Sequence, residues 1–123
     1  MFFNKKEKPK ATEITDQNFQ ELVLDAEHGT FIDFWAPWCG PCKVMGPIVD
    51  ELAGHFAERP VTIGKVNVDV NPALSEAFGI KSIPTLVFIK DSKLIEKING
   101  LVPKPNLEEM IEDLISFEFD EEE

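Results

Sequence analysis

The stretch Phe31-Ile32-Asp33-Phe34-Trp35-Ala36-Pro37-Trp38-Cys39-Gly40-Pro41-Cys42 decides how this chain is read. Its first five residues form a nearly continuous apolar run, short enough for a strand buried on both faces. Its last four carry the only two cysteines of the protein, three positions apart. That spacing brings two sulfurs into bonding range across one turn, so the pair can be a disulfide or a dithiol. A long helical pattern follows, with Val44, Ile48, Leu52 and Phe56 recurring every four residues as the expected inward stripe. Pro47 falls inside it, removes a backbone donor and is expected to kink the helix.

Outward from this core, helical and extended patterns alternate. Thr15 is placed to cap a helix carrying Phe19, Leu22 and Val23 inward. Val61–Val68 alternates as a second strand. Asn71-Pro72 reads as a cap and first helical residue, Leu74, Ala77 and Phe78 as one face, and Gly79 as the stop. Thr85–Ile89 is a third strand, and Asp91-Ser92 turns it into Leu94–Ile98 as an antiparallel hairpin. Pro105 opens a last helix with the stripe Leu107, Met110, Ile111 and Leu114. This order predicts an α/β fold, a central mixed β-sheet flanked by helices on both faces.

The 123 residues suffice for one domain. Residues 1–11, which include four lysines, read as a flexible N-terminal arm, residues 12–117 as the domain, and residues 118–123 as a solvated acidic tail. That tail is either a docking element or a solubility device. A net charge of −11 argues against nucleic acid and anionic membrane surfaces as partners. No apolar run reaches the length of a membrane span, and the N-terminus lacks the charge order and apolar core of a secretory signal. Two cysteines cannot build a disulfide framework. The expected compartment is the cytoplasm.

A helix starting near Cys39 would place that thiol at unpaired backbone N–H groups and the positive end of the helix dipole, which stabilise a thiolate. A thiolate is the attacking species in disulfide exchange. Cys39 is therefore expected to attack and Cys42, one turn in, to resolve. Gly40 permits the turn and Pro41 stiffens it. The rival reading of a Cys-x-x-Cys pair is half of a zinc site, and His55 lies at finger spacing from Cys42. No histidine follows it, so a closed site of four ligands is not available from these residues.

The segment Phe34–Lys43 closely resembles the active-site segment of thioredoxins, and the resemblance covers about residues 12–116. Asp33 stands six residues before the first cysteine and Pro47 five after the second. Lys65 precedes Val66-Asn67-Val68-Asp69, Ile83-Pro84-Thr85 opens the next strand, and Gly100 closes the hairpin. The resemblance implies a thioredoxin fold and a protein-disulfide reductase with no bound cofactor. A reductase using NADPH and flavin would restore the dithiol.

It further implies that Asp33 sits behind the cysteines and assists the proton of Cys42 through water; otherwise Asp33 is a buried structural carboxylate paired with Lys65. Lys65 either lies near Asp33 or reaches solvent. Pro84 is expected to follow a cis peptide that turns Ile83 toward an extended substrate. Trp38, Gly40, Pro41, Ile83, Pro84 and Gly100 would form the apolar docking face for disulfide-containing partner proteins and the reductase, and Trp35 would pack beneath it. The protein is expected to act as a monomer.

Two positions depart from the family pattern. Asn99 stands where an apolar residue usually precedes the glycine, and Ser82 replaces a frequent glycine. Both bear on partner choice. The competing readings are a redox-inactive thioredoxin-fold binding subunit of a larger complex, and an oxidase or isomerase. The Gly40-Pro41 pair opposes the last, since oxidising relatives more often carry histidine there.

Overall fold

A computed structural model describes residues 9–119. Met1–Lys8 of the expected arm and residues 120–123 of the expected acidic tail lie outside the described residues. The elements run β1 (Thr12–Glu13), a π-helical turn (Gln20–Leu24), β2 (Gly29–Trp35), α1 (Gly40–His55), β3 (Val61–Asn67), α2 (Pro72–Ala77), β4 (Thr85–Lys90), β5 (Lys93–Asn99) and α3 (Lys104–Ser116). The five strands form one mixed sheet in the order β1-β3-β2-β4-β5. β3 pairs in parallel with β1 and β2, while β4 is antiparallel to β2 and β5.

Alternation along β2 builds both layers, because successive side chains leave a strand on opposite faces. Phe31 joins Met45, Val49, Leu52, Phe56, Leu107, Ile111 and Leu114 under α1 and α3. Ile32 and Phe34 join Val23, Leu74, Val87 and Ile89 under the π-helical turn and α2. Helices therefore cover both faces, as the pattern predicts. β2 lies at the centre of the sheet, which is why its apolar run is unbroken except at Asp33.

The inward stripe of α1 differs from the expected one. Val44 is exposed and Ile48 half-buried, whereas Cys42, Met45, Val49 and Leu52 are buried. A strict four-residue repeat overshoots the helix period by about 40° per step. The stripe that faces the sheet must instead mix spacings of three and four. Pro47 sits inside an unbroken helix. On α2, Leu74 is buried but Ala77 is exposed.

The expected caps are shared out differently as well. Thr15 Oγ1 accepts from the backbone N–H groups of Gln17 and Asn18 at 3.2 Å each, so it starts a turn. The helix beyond it is a single π-helical turn, with Val23 buried and Phe19 and Leu22 packed at its edge. Asn71 occupies the N-cap position of α2 without capping it through its side chain. Its Oδ1 accepts from Asp16 N at 2.8 Å instead. The Asp16 carboxylate then accepts from Ala73 N at 3.1 Å and Leu74 N at 2.9 Å. A residue far away in sequence thus caps α2.

The hairpin turn is a two-residue loop, Asp91-Ser92, with φ of 54° and 62°. Positive φ at both positions matches the twist of paired strands. The Lys90 ammonium, next to this turn, donates to the carbonyls of Leu114, Ile115 and Phe117 at 3.0, 2.9 and 2.7 Å. It ties β4 to the C-terminus of α3, where carbonyls lack partners within the helix. Lys90→Met keeps the aliphatic stem and removes the donor. It should lower stability by about 1.5–3 kcal/mol, with faster amide exchange in the last turn of α3. Urea denaturation with hydrogen exchange checks this, and an unchanged midpoint would remove the role.

Candidate active site

Cys39 and Cys42 form a disulfide at the start of α1. Cys39 is the N-cap residue, with extended backbone (φ −88°, ψ 117°), and its Sγ accepts from Cys42 N at 3.2 Å. The chain takes this shape because β2 ends at Trp35, Ala36 O accepts from Cys39 N at 3.2 Å, and Gly40-Pro41 opens the helix. Pro41 loses nothing there, since N–H groups of the first turn have no carbonyl within the helix to pair with. The sulfur of Cys39 therefore sits where a helix favours negative charge. Both cysteines are buried, packed with Ala36, Trp35 and Ile83.

The peptide bond between Ile83 and Pro84 is cis. It brings Ile83 O to 3.7 Å from Cys39 Sγ. A thiol can donate across that distance, whereas in the disulfide it is a contact only. Gly100 holds the loop from the other side: its N–H donates to Pro84 O at 2.8 Å, and its φ of +97° suits glycine. Trp38 is 69% exposed at the rim, although its indole N–H reaches the Asp69 carboxylate at 3.1 and 3.2 Å. Gly40 and Pro41 are also exposed, and Pro84 is buried.

Asp33 lies under this surface, on the α1 side of the sheet. It has no solvent exposure, and neither carboxylate oxygen has a protein hydrogen-bond partner. Burial raises its pKa from 3.8 to about 7; the positive charge of Lys65 opposes the rise and the negative charge of Asp50 adds to it. Lys65 is its register partner on β3, so both side chains leave the sheet on one face. Yet the Lys65 ammonium pairs with Asp50 at 3.3 Å, not with Asp33. The structural reading of Asp33 as a carboxylate paired with Lys65 is therefore not the geometry found. Lys65 acts on Asp33 through its field.

A cleft of about 380 Å³ runs beside these groups, lined by Trp35, Cys42, Gly46, Pro47, Asp50 and Lys65. Its wall includes Cys42, itself buried. Sequence reasoning missed Asp50 and Asp69. Asp50 carried a usable signal, because Cys42, Gly46 and Asp50 repeat every four residues and share a helix face. Asp69 carried none, since its partner Trp38 comes from another element. The positions of the two family departures were visible, but not their connection. The Thr85 hydroxyl lies 2.6 Å from Ser82 O and 2.9 Å from Asn99 Oδ1. Among the described residues, no group of three or more His, Cys, Asp or Glu is placed to hold a metal.

Fold and site together define a thiol–disulfide oxidoreductase, with a disulfide at a helix start facing a cis-proline loop. The thioredoxin family model matches residues 10–113. The chain is 42% identical over 102 residues to Thioredoxin 1 of Nostoc sp., covering 83% of this chain and 94% of that protein. It is 45% identical over 95 residues to Thioredoxin 2 of Chlorobaculum tepidum, covering 77% and 86%. It is also 40% identical over 104 residues to the chloroplastic M-type thioredoxin of Spinacia oleracea, covering 85% and 57%. The chain belongs to the thioredoxin family. Its function is thiol–disulfide exchange through the Cys39–Cys42 pair, and the redox-inactive binding reading is not favoured. The family works on disulfide-containing proteins with a reductase partner and needs no bound cofactor. No helix among the described residues is long and apolar enough to cross a membrane.

Proposed function

We propose that this protein reduces disulfides of other proteins, with Cys39 as nucleophile and Cys42 as resolving thiol. The observation that carries the assignment is Cys39 at the N-cap of α1, its sulfur accepting the Cys42 N–H. In the dithiol form the Cys39 thiolate attacks one substrate sulfur. A new S–S bond forms, and the other substrate sulfur leaves as a thiolate that takes a proton from water. Cys42 then loses its proton, attacks Cys39 Sγ and expels the second substrate thiolate. The substrate gains two electrons and the protein becomes the Cys39–Cys42 disulfide.

Asp33 is the proposed acceptor of the Cys42 proton, through water, because an acid with a pKa of about 7 exchanges protons freely at neutral pH. Lys65, paired with Asp50, is a positioning residue that keeps positive charge behind Asp33 and limits the rise in its pKa. Trp38, Gly40, Pro41, Ile83, Pro84 and Gly100 form the proposed docking surface. There an extended substrate segment pairs with the Ile83 backbone like an added strand.

The reducing equivalents come from NADPH through a flavin-containing thioredoxin reductase. The protein works as a monomer in the cytoplasm, where thiols stay reduced. Its net charge of −11 keeps it off nucleic acid. The arm of residues 1–11 and the tail of residues 118–123 flank a catalytic domain of residues 12–117. The deciding assay is insulin reduction with NADPH and a thioredoxin reductase, read as turbidity and NADPH oxidation. Both signals should require this protein and vanish in Cys39→Ser. No insulin reduction with either the reductase or dithiothreitol would overturn the reading, while reduction with dithiothreitol alone would remove only the reductase.

A further inference from the structure

Asp33 and Lys65 are register partners on β2 and β3. Neighbouring strands lie about 4.8 Å apart, so the lysine stem is long enough to bring its ammonium onto the carboxylate. Opposite charges so placed would ordinarily pair, and these do not. The Lys65 ammonium lies 3.3 Å from Asp50 Oδ1 and 3.5 Å from the place where a Cβ on Gly46 would stand. It thus reaches across to α1, where Cys42, Gly46 and Asp50 follow one another on one face. Asp33 is left with no protein hydrogen bond. Asp50 is itself held: Ala11 N donates to the same Oδ1 at 2.9 Å, from the segment that leads into β1. That main-chain bond fixes the direction of the carboxylate. Lys43 lines the same cleft and is exposed, Glu13 on β1 is exposed as the register partner of Lys65, and β4 presents the apolar Leu86 opposite Asp33.

We propose that Asp50 is a positioning residue for proton transfer: it draws the Lys65 ammonium to α1 and leaves the Asp33 carboxyl free to take the proton of Cys42. This deepens the disulfide-reductase reading and rests on it. A carboxylate paired with an ammonium gives up its charge reluctantly, which makes it a poor base toward a thiol. Burial raises the pKa of Asp33, the charge of Lys65 lowers it and that of Asp50 raises it. Asp50 therefore opposes Lys65 twice, by its own charge and by where it holds the ammonium.

The test follows the Asp33 carboxyl carbon by NMR while the oxidised protein is titrated through the neutral range. Asp50→Asn keeps the size of the side chain and an oxygen for Ala11 N–H but removes the charge. The Asp33 midpoint should fall by about one pH unit or more as Lys65 turns to Asp33. In a Lys65→Met background the same substitution should move the midpoint markedly less, since only the direct field of Asp50 is then lost. Insulin reduction at neutral pH should be slower in Asp50→Asn, with an unchanged circular dichroism spectrum.

A second readout needs no variant. In the wild type, the Lys65 Nζ resonance should follow the protonation of Asp50, read from its own carboxyl signal, more than that of Asp33. An unchanged Asp33 midpoint in Asp50→Asn, an equal fall with and without Lys65, or a Lys65 resonance that follows Asp33 instead would overturn the proposal. A lowered midpoint with unchanged insulin reduction would also overturn it, since Asp50 would then have no part in the proton step. Failure of the wild type to reduce insulin would instead bring down the reductase reading, with the NMR titrations still judging the hold on Lys65.

Discussion

Asp33→Asn is expected to stabilise the oxidised protein by about 4 kcal/mol above pH 8 and by almost nothing at pH 4. The carboxyl is buried without a hydrogen-bond partner, and its pKa is raised from 3.8 to about 7. The folded state therefore keeps a proton that the unfolded chain has lost between about pH 4 and pH 7. Because the folded state binds more protons in that window, wild-type stability falls as pH rises through it and levels off above pH 7. The shift of about three pKa units corresponds to about 4 kcal/mol. An asparagine does not titrate, so its curve stays level. Guanidinium denaturation of both proteins from pH 4 to pH 9 measures the gap. Parallel curves would mean that Asp33 keeps an ordinary pKa. The same variant should reduce insulin more slowly at neutral pH while remaining folded, because the proposed proton acceptor of Cys42 is lost. Unchanged turnover would leave Asp33 a structural carboxylate.

Cys42→Ser should stop the reaction halfway. Cys39 still attacks, but the mixed disulfide has no neighbouring thiol to resolve it. Oriented groups in one molecule reach effective concentrations of about 100,000 M and above, far beyond millimolar thiol in solution. Steady turnover should fall by about a thousandfold or more, and the protein should accumulate on substrates through Cys39. Non-reducing electrophoresis and mass spectrometry of insulin adducts read this directly. Adducts through the remaining cysteine in Cys39→Ser, and none in Cys42→Ser, would reverse the roles.

The two variants separate two steps of the proposed mechanism: Asp33 acts in proton transfer and Cys42 in resolution, each after the substrate is bound.

Much of this was legible in the sequence. The unbroken apolar run of β2 required a central strand, and the cysteine spacing after it required a turn into a helix. Asp33 stood out because a carboxylate in such a run has to be buried, and burial disfavours its charge. The first half of the α1 stripe was read one position away, at Val44 and Ile48 for Met45 and Val49, while Leu52 and Phe56 are buried as expected, because a four-residue repeat only approximates the helix period. The two-residue strand β1 was too short to show any alternation. Asp16 over α2, Lys90 beneath α3 and Asp50 beside Lys65 left no local pattern, because each satisfies a group distant in the chain.

By itself, the sequence determined the central strand, the helix that begins at the cysteines and the two-sided layering. These follow from periodicity and turn residues, local properties of the chain, while the redox chemistry came from the resemblance of the cysteine segment and its surroundings to thioredoxins. The tertiary structure alone decided that Lys65 pairs with Asp50 and leaves Asp33 without a partner. It alone decided that the Asp16 carboxylate, distant in the chain, caps α2. Hydrogen-bond donors and acceptors are assigned by what folding brings within about 3 Å, and that distance is not written in the order of residues.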